Sequence, residues 1–211
     1  RLGRVDLTVQ DKKVTAKTAH RYTPAELTAI APQPDAAITA RISQMKTANQ
    51  ALFAEVIAHS NLPLSGERAL VRTRETALGD LSAAALRAAA QADIAIVNGG
   101  SIRTDLKAGA VTRLDMMSIF PFGNTLKKVE VSGAVLQSIL EHSVSQLPAA
   151  SGGFLQVSGL TFTYDVSQPA GQRVSDICIA GKPLVLTRTY TLAANDFLTA
   201  GGDGYTMLQS A

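Results

Sequence analysis

The stretch IVNGGSIRTDLKAG, residues 96–109, joins an apolar run to two glycines and an arginine. The run Ile94–Val97 predicts a short interior strand. Asn98, Gly99 and Gly100 end it, since glycine tolerates backbone angles that clash for other residues. A backbone that turns tightly there can approach a ligand closely, with Asn98 and Arg103 beside it. The same residues also fit a plain strand-to-loop turn with a solvated arginine, and the stretch alone does not choose between the two.

Upstream, the alanine-rich LGDLSAAALRAAAQA is a helix by propensity, and GERALVRTRE before it reads as a short extended run. Further back, Ile38, Ile42, Met45, Leu52, Val56 and Ile57 fall mainly on one helical stripe. They predict a long helix from about Asp35 to Ala58, with Asp35 as its cap. TPAELTAIAPQPDAA, with three prolines, reads as a linker. At the start, Val5, Leu7 and Val9 alternate as a strand does, and QDKK supplies a turn before VTAKTAHRY. A chain that opens inside a hairpin reads as cut from a longer one.

Downstream, Thr112 and Asp115 in VTRLD resemble a capping box, with Asp in place of the usual Glu. TLKKVEVS reads as an edge strand and GAVLQSILEHSV as an amphipathic helix with Val135, Ile139 and Leu140 inward. The tail then switches to period two at Leu160, Phe162 and Tyr164, at Ile177 and Ile179, and at Tyr190 and Leu192. Helices first and strands later predict an α+β fold with a mixed or antiparallel sheet.

Composition removes several classes of function. The chain has 211 residues, 46% hydrophobic and 18% charged, as an ordinary globular protein has. Its net charge of +3 comes from 20 basic and 17 acidic residues with no dense basic run, which argues against a nucleic acid polymer as partner. Cys178 is the only cysteine, so neither an internal disulfide nor a cysteine-rich zinc site is available; in VSDICIAG it reads as core filler. His20, His59 and His142 lack metal-ligand spacing, and no metal site is read here. No apolar run has the length of a membrane helix.

Two further glycine-marked loops share the design of the first. FPFGN sets Phe120 and Phe122 around a proline, followed by Gly123 and Asn124. NDFLTAGGDGY sets Phe197 ahead of Asp203 in a Gly-Gly-Asp-Gly turn. Phenylalanines in such loops either meet a ligand or plug the ends of the sheet.

Taken in order, VRTRETALGDL, NGGSIR, FPFGNTL, VSGAVLQSILE, GGFLQVSGLTFTYD and ANDFLTAGGDGY resemble the C-terminal domain of the 5′-nucleotidase family, over about residues 25–211. That family includes UDP-sugar hydrolases, 2′,3′-cyclic-nucleotide phosphodiesterases and surface ecto-5′-nucleotidases. The resemblance implies a mixed β-sheet with flanking helices. It divides the chain into the tail of an N-terminal metallophosphoesterase domain (1–22), a linker and interdomain helix (23–58) and a substrate-binding domain (59–211). It places two divalent metal ions and the catalytic His/Asp pair in that absent N-terminal domain, the expected partner of this one, and no cofactor or catalytic residue here. It also implies export to the periplasm or cell surface.

By the same resemblance, Phe122 and Phe197 match the rings that sandwich a nucleotide base, and Asp203 the carboxylate that accepts from the ribose hydroxyls. Arg72 and Arg103 match arginines near phosphate or ribose. Asn98 heads the NGG turn, and Asn124 stands where relatives contact the base edge. The implied activity is hydrolysis of nucleotide phosphate esters by the full-length enzyme, the fragment alone being inactive. The alternatives are a cyclic-nucleotide phosphodiesterase, a UDP-sugar hydrolase, more remotely a sulfur-oxidation hydrolase, and a nucleotide-binding module without turnover. Beside the site, Arg74 is expected either on the face of Arg72 or in a surface strip, and Phe120 packed under its loop. Ser101 is a neutral replacement, Asp93 and Asp105 are solvated loop ends, and His142 serves a helix end.

Overall fold

The computed structural model describes residues 2–30 and 33–210; Pro32, one of the three linker prolines, lies outside them. The chain forms two compact units, Arg1–Ala51 and Leu52–Ala211.

In the first unit, β1 (Gly3–Gln10) and β2 (Lys13–Arg21) form an antiparallel hairpin. Asp11 and Lys12 turn it with positive φ values of 48° and 61°, the two-residue geometry that matches strand twist. The sequence TPAE, expected as linker, instead starts a helix, α1 (Pro24–Ile30). Thr23 N donates to Glu26 Oε2 at 2.7 Å and Glu26 N to Thr23 Oγ1 at 3.3 Å, while Pro24 occupies the first helical position, where its missing N–H costs nothing. Asp35 caps α2 (Ala36–Phe53) through Ile38 N at 2.9 Å.

The expected helix to Ala58 is corrected. α2 stops at Phe53, and Val56–Ser60 is a strand, β3, paired with β5 (Gly109–Thr112). The β-branched Val56 and Ile57 favour an extended backbone once a partner strand is present. The boundary drawn after residue 58 therefore falls inside a strand of the second unit.

That unit centres on a four-stranded mixed sheet in the order β6 (Leu126–Ser132), β11 (Thr189–Asn195), β4 (Ile94–Asn98), β7 (Leu155–Ser158). β11 runs parallel to β4 and antiparallel to β6, while β7 is antiparallel to β4. TLKKVEVS thus holds an edge, as its pattern predicts. All five residues of β4 are buried, because both sheet faces are covered. Ile94 and Ile96 join Leu136, Ile139 and Leu140 of α6 (Gly133–Val144) in the larger core cluster. Val97 instead joins Leu78 and Ala83 of α4 (Ala77–Ala90) in a second cluster. β8 (Leu160–Tyr164), β9 (Val174–Ile179) and β10 (Lys182–Pro183) complete a three-stranded sheet in the order β10-β9-β8.

Thr112 and Asp115 form the expected capping box on α5 (Arg113–Ile119). GERALVRTRE, expected as extended, contains a one-turn helix, α3 (Arg68–Val71), with Arg72 at its end. Asp93 and Asp105 are not idle. Asp93 accepts from Thr191 N at 2.9 Å and Thr191 Oγ1 at 2.8 Å, and Asp105 from Gly66 N at 2.7 Å.

Candidate functional site

Parallel pairing of β4 and β11 brings their carboxyl ends out on one edge of the sheet, where Asn98 and Asn195 stand side by side. Asn98 Oδ1 accepts from Ser101 Oγ and, at 3.2 Å, from Asn195 Nδ2. With its oxygen held by two donors, the amide can present only its NH2 group forward. Nδ2 donates to Asp203 Oδ2 at 2.8 Å, and Oδ1 of Asp203 accepts no hydrogen bond among the described residues. Ser101, expected to be neutral, is therefore part of what orients Asn98.

Asp203 sits in the Gly-Gly-Asp-Gly turn with a φ of +51°, flanked by Gly201 at +88° and Gly204 at +86°. Aspartate is among the few side chains that tolerate that region, and α6 braces the turn from outside. His142 Nε2 lies 2.8 Å from the Asp203 carbonyl oxygen, and its ring meets Tyr205 edge to face at 4.6 Å. Tyr205 is fully buried and donates to Gly153 O; burial pushes its phenol pKa up. His142, expected only at a helix end, thus braces the carboxylate loop. Its position in the sequence gives no sign of that contact.

Arg72 is 9% exposed. Its Nε has no hydrogen-bond partner, and no carboxylate stands within ion-pair distance of its guanidinium among the described residues. Burial holds its pKa below the usual arginine value, with repulsion from Arg68 and Arg103 adding and Asp203 partly offsetting. Arginine nonetheless stays charged in proteins. Arg68 is a cation the sequence reading missed; its i, i+4 spacing from Arg72 was the available signal. Arg74 is exposed and does not share the burial of Arg72.

Phe122 and Phe197 are 56% and 44% exposed, so neither plugs the core. Phe120 does pack into the second cluster. The Arg103 guanidinium lies 5.6 Å from the centre of the Phe122 ring. Phe197, on α7 (Asp196–Thr199), lies against Gly202, where a Cβ would come within 2.6 Å of the ring.

All seven residues singled out from the sequence line one cleft of about 450 Å³: Arg72, Asn98, Arg103, Phe122, Asn124, Phe197 and Asp203. Gly100, Ser101 and Gly152 complete it. Gly152 faces both the Asp203 carboxylate and Arg72 Nη1. The cleft therefore offers two exposed phenyl faces, one carboxylate oxygen that accepts no hydrogen bond and, among the described residues, an arginine with no carboxylate within ion-pair distance. Among the described residues no three His, Cys, Asp or Glu side chains gather as metal ligands, and no helix is long and apolar enough to cross a membrane.

Comparison with known proteins finds a match to the family described as 5′-nucleotidase, C-terminal domain, over residues 56–210. A trifunctional nucleotide phosphoesterase of Bacillus subtilis is 33% identical over all of this chain, which covers 15% of that protein. A 5′-nucleotidase of Vibrio cholerae is 38% identical over 71% of the chain, which covers 26% of it. Among solved structures, a 5′-nucleotidase precursor from Thermus thermophilus superposes with a TM-score of 0.77 at 34% identity, matching 99% of this chain and 42% of that one. The chain thus spans less than half the length of each of these relatives.

Proposed function

Since the chain belongs to the 5′-nucleotidase C-terminal domain family, we propose that its cleft binds the nucleotide substrate of a phosphoric ester hydrolase. The observation that carries this reading is Arg72, a largely buried arginine whose Nε has no hydrogen-bond partner, opening on a cleft that also holds two exposed phenyl rings. A buried charge left unpaired is costly unless a ligand pairs it, and forked donors suit phosphate oxygens. Phe122 and Phe197 would stack on the base, each contact contributing about 1–3 kcal/mol. The free oxygen of Asp203 would accept from a ribose hydroxyl, with Asn98 fixing the carboxylate in place. Asn124 would meet the base edge.

Hydrolysis in this reading needs a two-metal centre, which supplies an activated water. Among the described residues no donor set fits it. The metals and the catalytic acid–base pair would lie in an N-terminal metallophosphoesterase domain, to which this domain delivers its bound nucleotide. The intact enzyme would act outside the cytoplasm, as the family resemblance implies. Calorimetric titration with AMP, adenosine and ribose 5-phosphate tests the binding role. AMP is expected to bind more tightly than either part; no binding of any of the three overturns the reading.

A further inference from the structure

Gln156 is not part of the cleft wall, yet it is only 1% exposed and its carboxamide is spent on one short turn. Nε2 donates to Val71 O at 3.1 Å and to Arg74 O at 2.8 Å. Oε1 accepts from Thr76 N at 2.9 Å and from Thr76 Oγ1 at 3.2 Å. These four bonds bracket Arg72. Room for the side chain comes from Gly79, where a Cβ would fall 2.0 Å from Oε1. The register Gln156↔Val97 sets the clamp one residue from Asn98 on the adjacent strand. From the other side, Ser151 N donates to Arg72 O at 3.2 Å.

A buried guanidinium repelled by Arg68 and Arg103 gains by swinging out to water. A turn pinned at Val71, Arg72, Arg74 and Thr76 fixes the Cα position and direction from which that side chain enters the cleft and so limits where it can reach. We propose that Gln156 is a positioning residue that holds Arg72 in the cleft, so that the anion site exists before any ligand arrives. The proposal rests on the reading of Arg72 as a phosphate contact. Its effect is preorganisation: the charge is in place and no ordering is paid for at binding.

Calorimetric titration of the intact protein with AMP and with adenosine tests it, using Gln156→Glu, Gln156→Met, Arg72→Met and the double variant Gln156→Glu/Arg72→Met. Glutamate keeps the shape but sets an acceptor against two carbonyls; methionine keeps the volume and loses all four bonds. Gln156→Glu is expected to bind AMP about tenfold more weakly and adenosine within about twofold of the parent, with the double variant no weaker than Arg72→Met alone. Equal losses for both ligands, or additive losses in the double variant, overturn the proposal. If Arg72→Met weakens AMP but neither Gln156 variant does, the clamp is wrong and the phosphate reading stands. If Arg72→Met leaves AMP binding intact, the phosphate reading falls and the proposal with it. Gln156→Met carries the test should the glutamate variant not fold; failure of both to fold assigns Gln156 to the framework and overturns its positioning role.

Discussion

Asn98 donates its amide N–H to Asp203 across 105 positions of sequence, at 2.8 Å. The bond turns one carboxylate oxygen toward the protein and leaves the other without a hydrogen bond among the described residues. Replacing Asp203 by Asn removes the charge and is expected to weaken adenosine binding by about 1.5–3 kcal/mol. It should leave 2′,3′-dideoxyadenosine nearly unaffected. Titration of both ligands checks this; a parent protein that binds the two equally well would rule out a ribose contact.

Phe197→Ala in the intact enzyme is expected to raise KM for nucleotides more than it lowers kcat. A ring on the base, remote from the phosphorus, binds ground and transition states alike. The loss should be about 1–3 kcal/mol. p-Nitrophenyl phosphate, which has no base, serves as the control. Equal loss of both activities in a folded variant would make the ring structural.

The chain by itself is expected to release no phosphate from AMP, even with added Mn²⁺ or Zn²⁺, since its His, Cys, Asp and Glu side chains do not gather as ligands among the described residues. A phosphate-release assay on rigorously purified protein decides it. Metal-dependent turnover would overturn the division of labour.

Asp80, in the first turn of α4, is half-buried with Oδ1 unpartnered. Burial first, and then the neighbouring Glu75 carboxylate, raise its pKa from 3.8 to about 6. The folded chain therefore keeps a proton that the unfolded chain releases, and stability falls as pH rises from about 4 through 6. Asp80→Asn removes this dependence. Its thermal midpoint should exceed the parent's at about pH 7.5 and approach it at about pH 4. A gap that does not change with pH would show that the aspartate ionises as freely in the fold as outside it.

The sequence was most legible where local chemistry and tertiary need agree. The apolar run of β4, the capping box at Thr112 and the alanine-rich α4 all stand where their patterns predict. The seven cleft residues were found through ordered motifs, not through periodicity. What stayed hidden depended on partners distant in the chain. β3 needed Gly109–Thr112 beside it to win over helix. His142 and Gln156 act through contacts 61 and about 80 positions away, which no local window contains. The TPAE start of α1 was a different kind of miss, since its capping signal was present but outweighed by nearby prolines.

The place of β11 in the sheet bears on how the chain comes to be made. It lies between β6 and β4 although it is the last strand among the described residues. Until residues 189–195 have left the ribosome, β4 and β6 each lack a neighbour, and their open edges invite pairing with other chains. A protein truncated before Thr189 would therefore lose the middle of its sheet as well as the Asp203 loop. The sheet cannot close until Thr189–Asn195 has been made, and a nascent chain still short of that strand is the form in which chaperones would meet it.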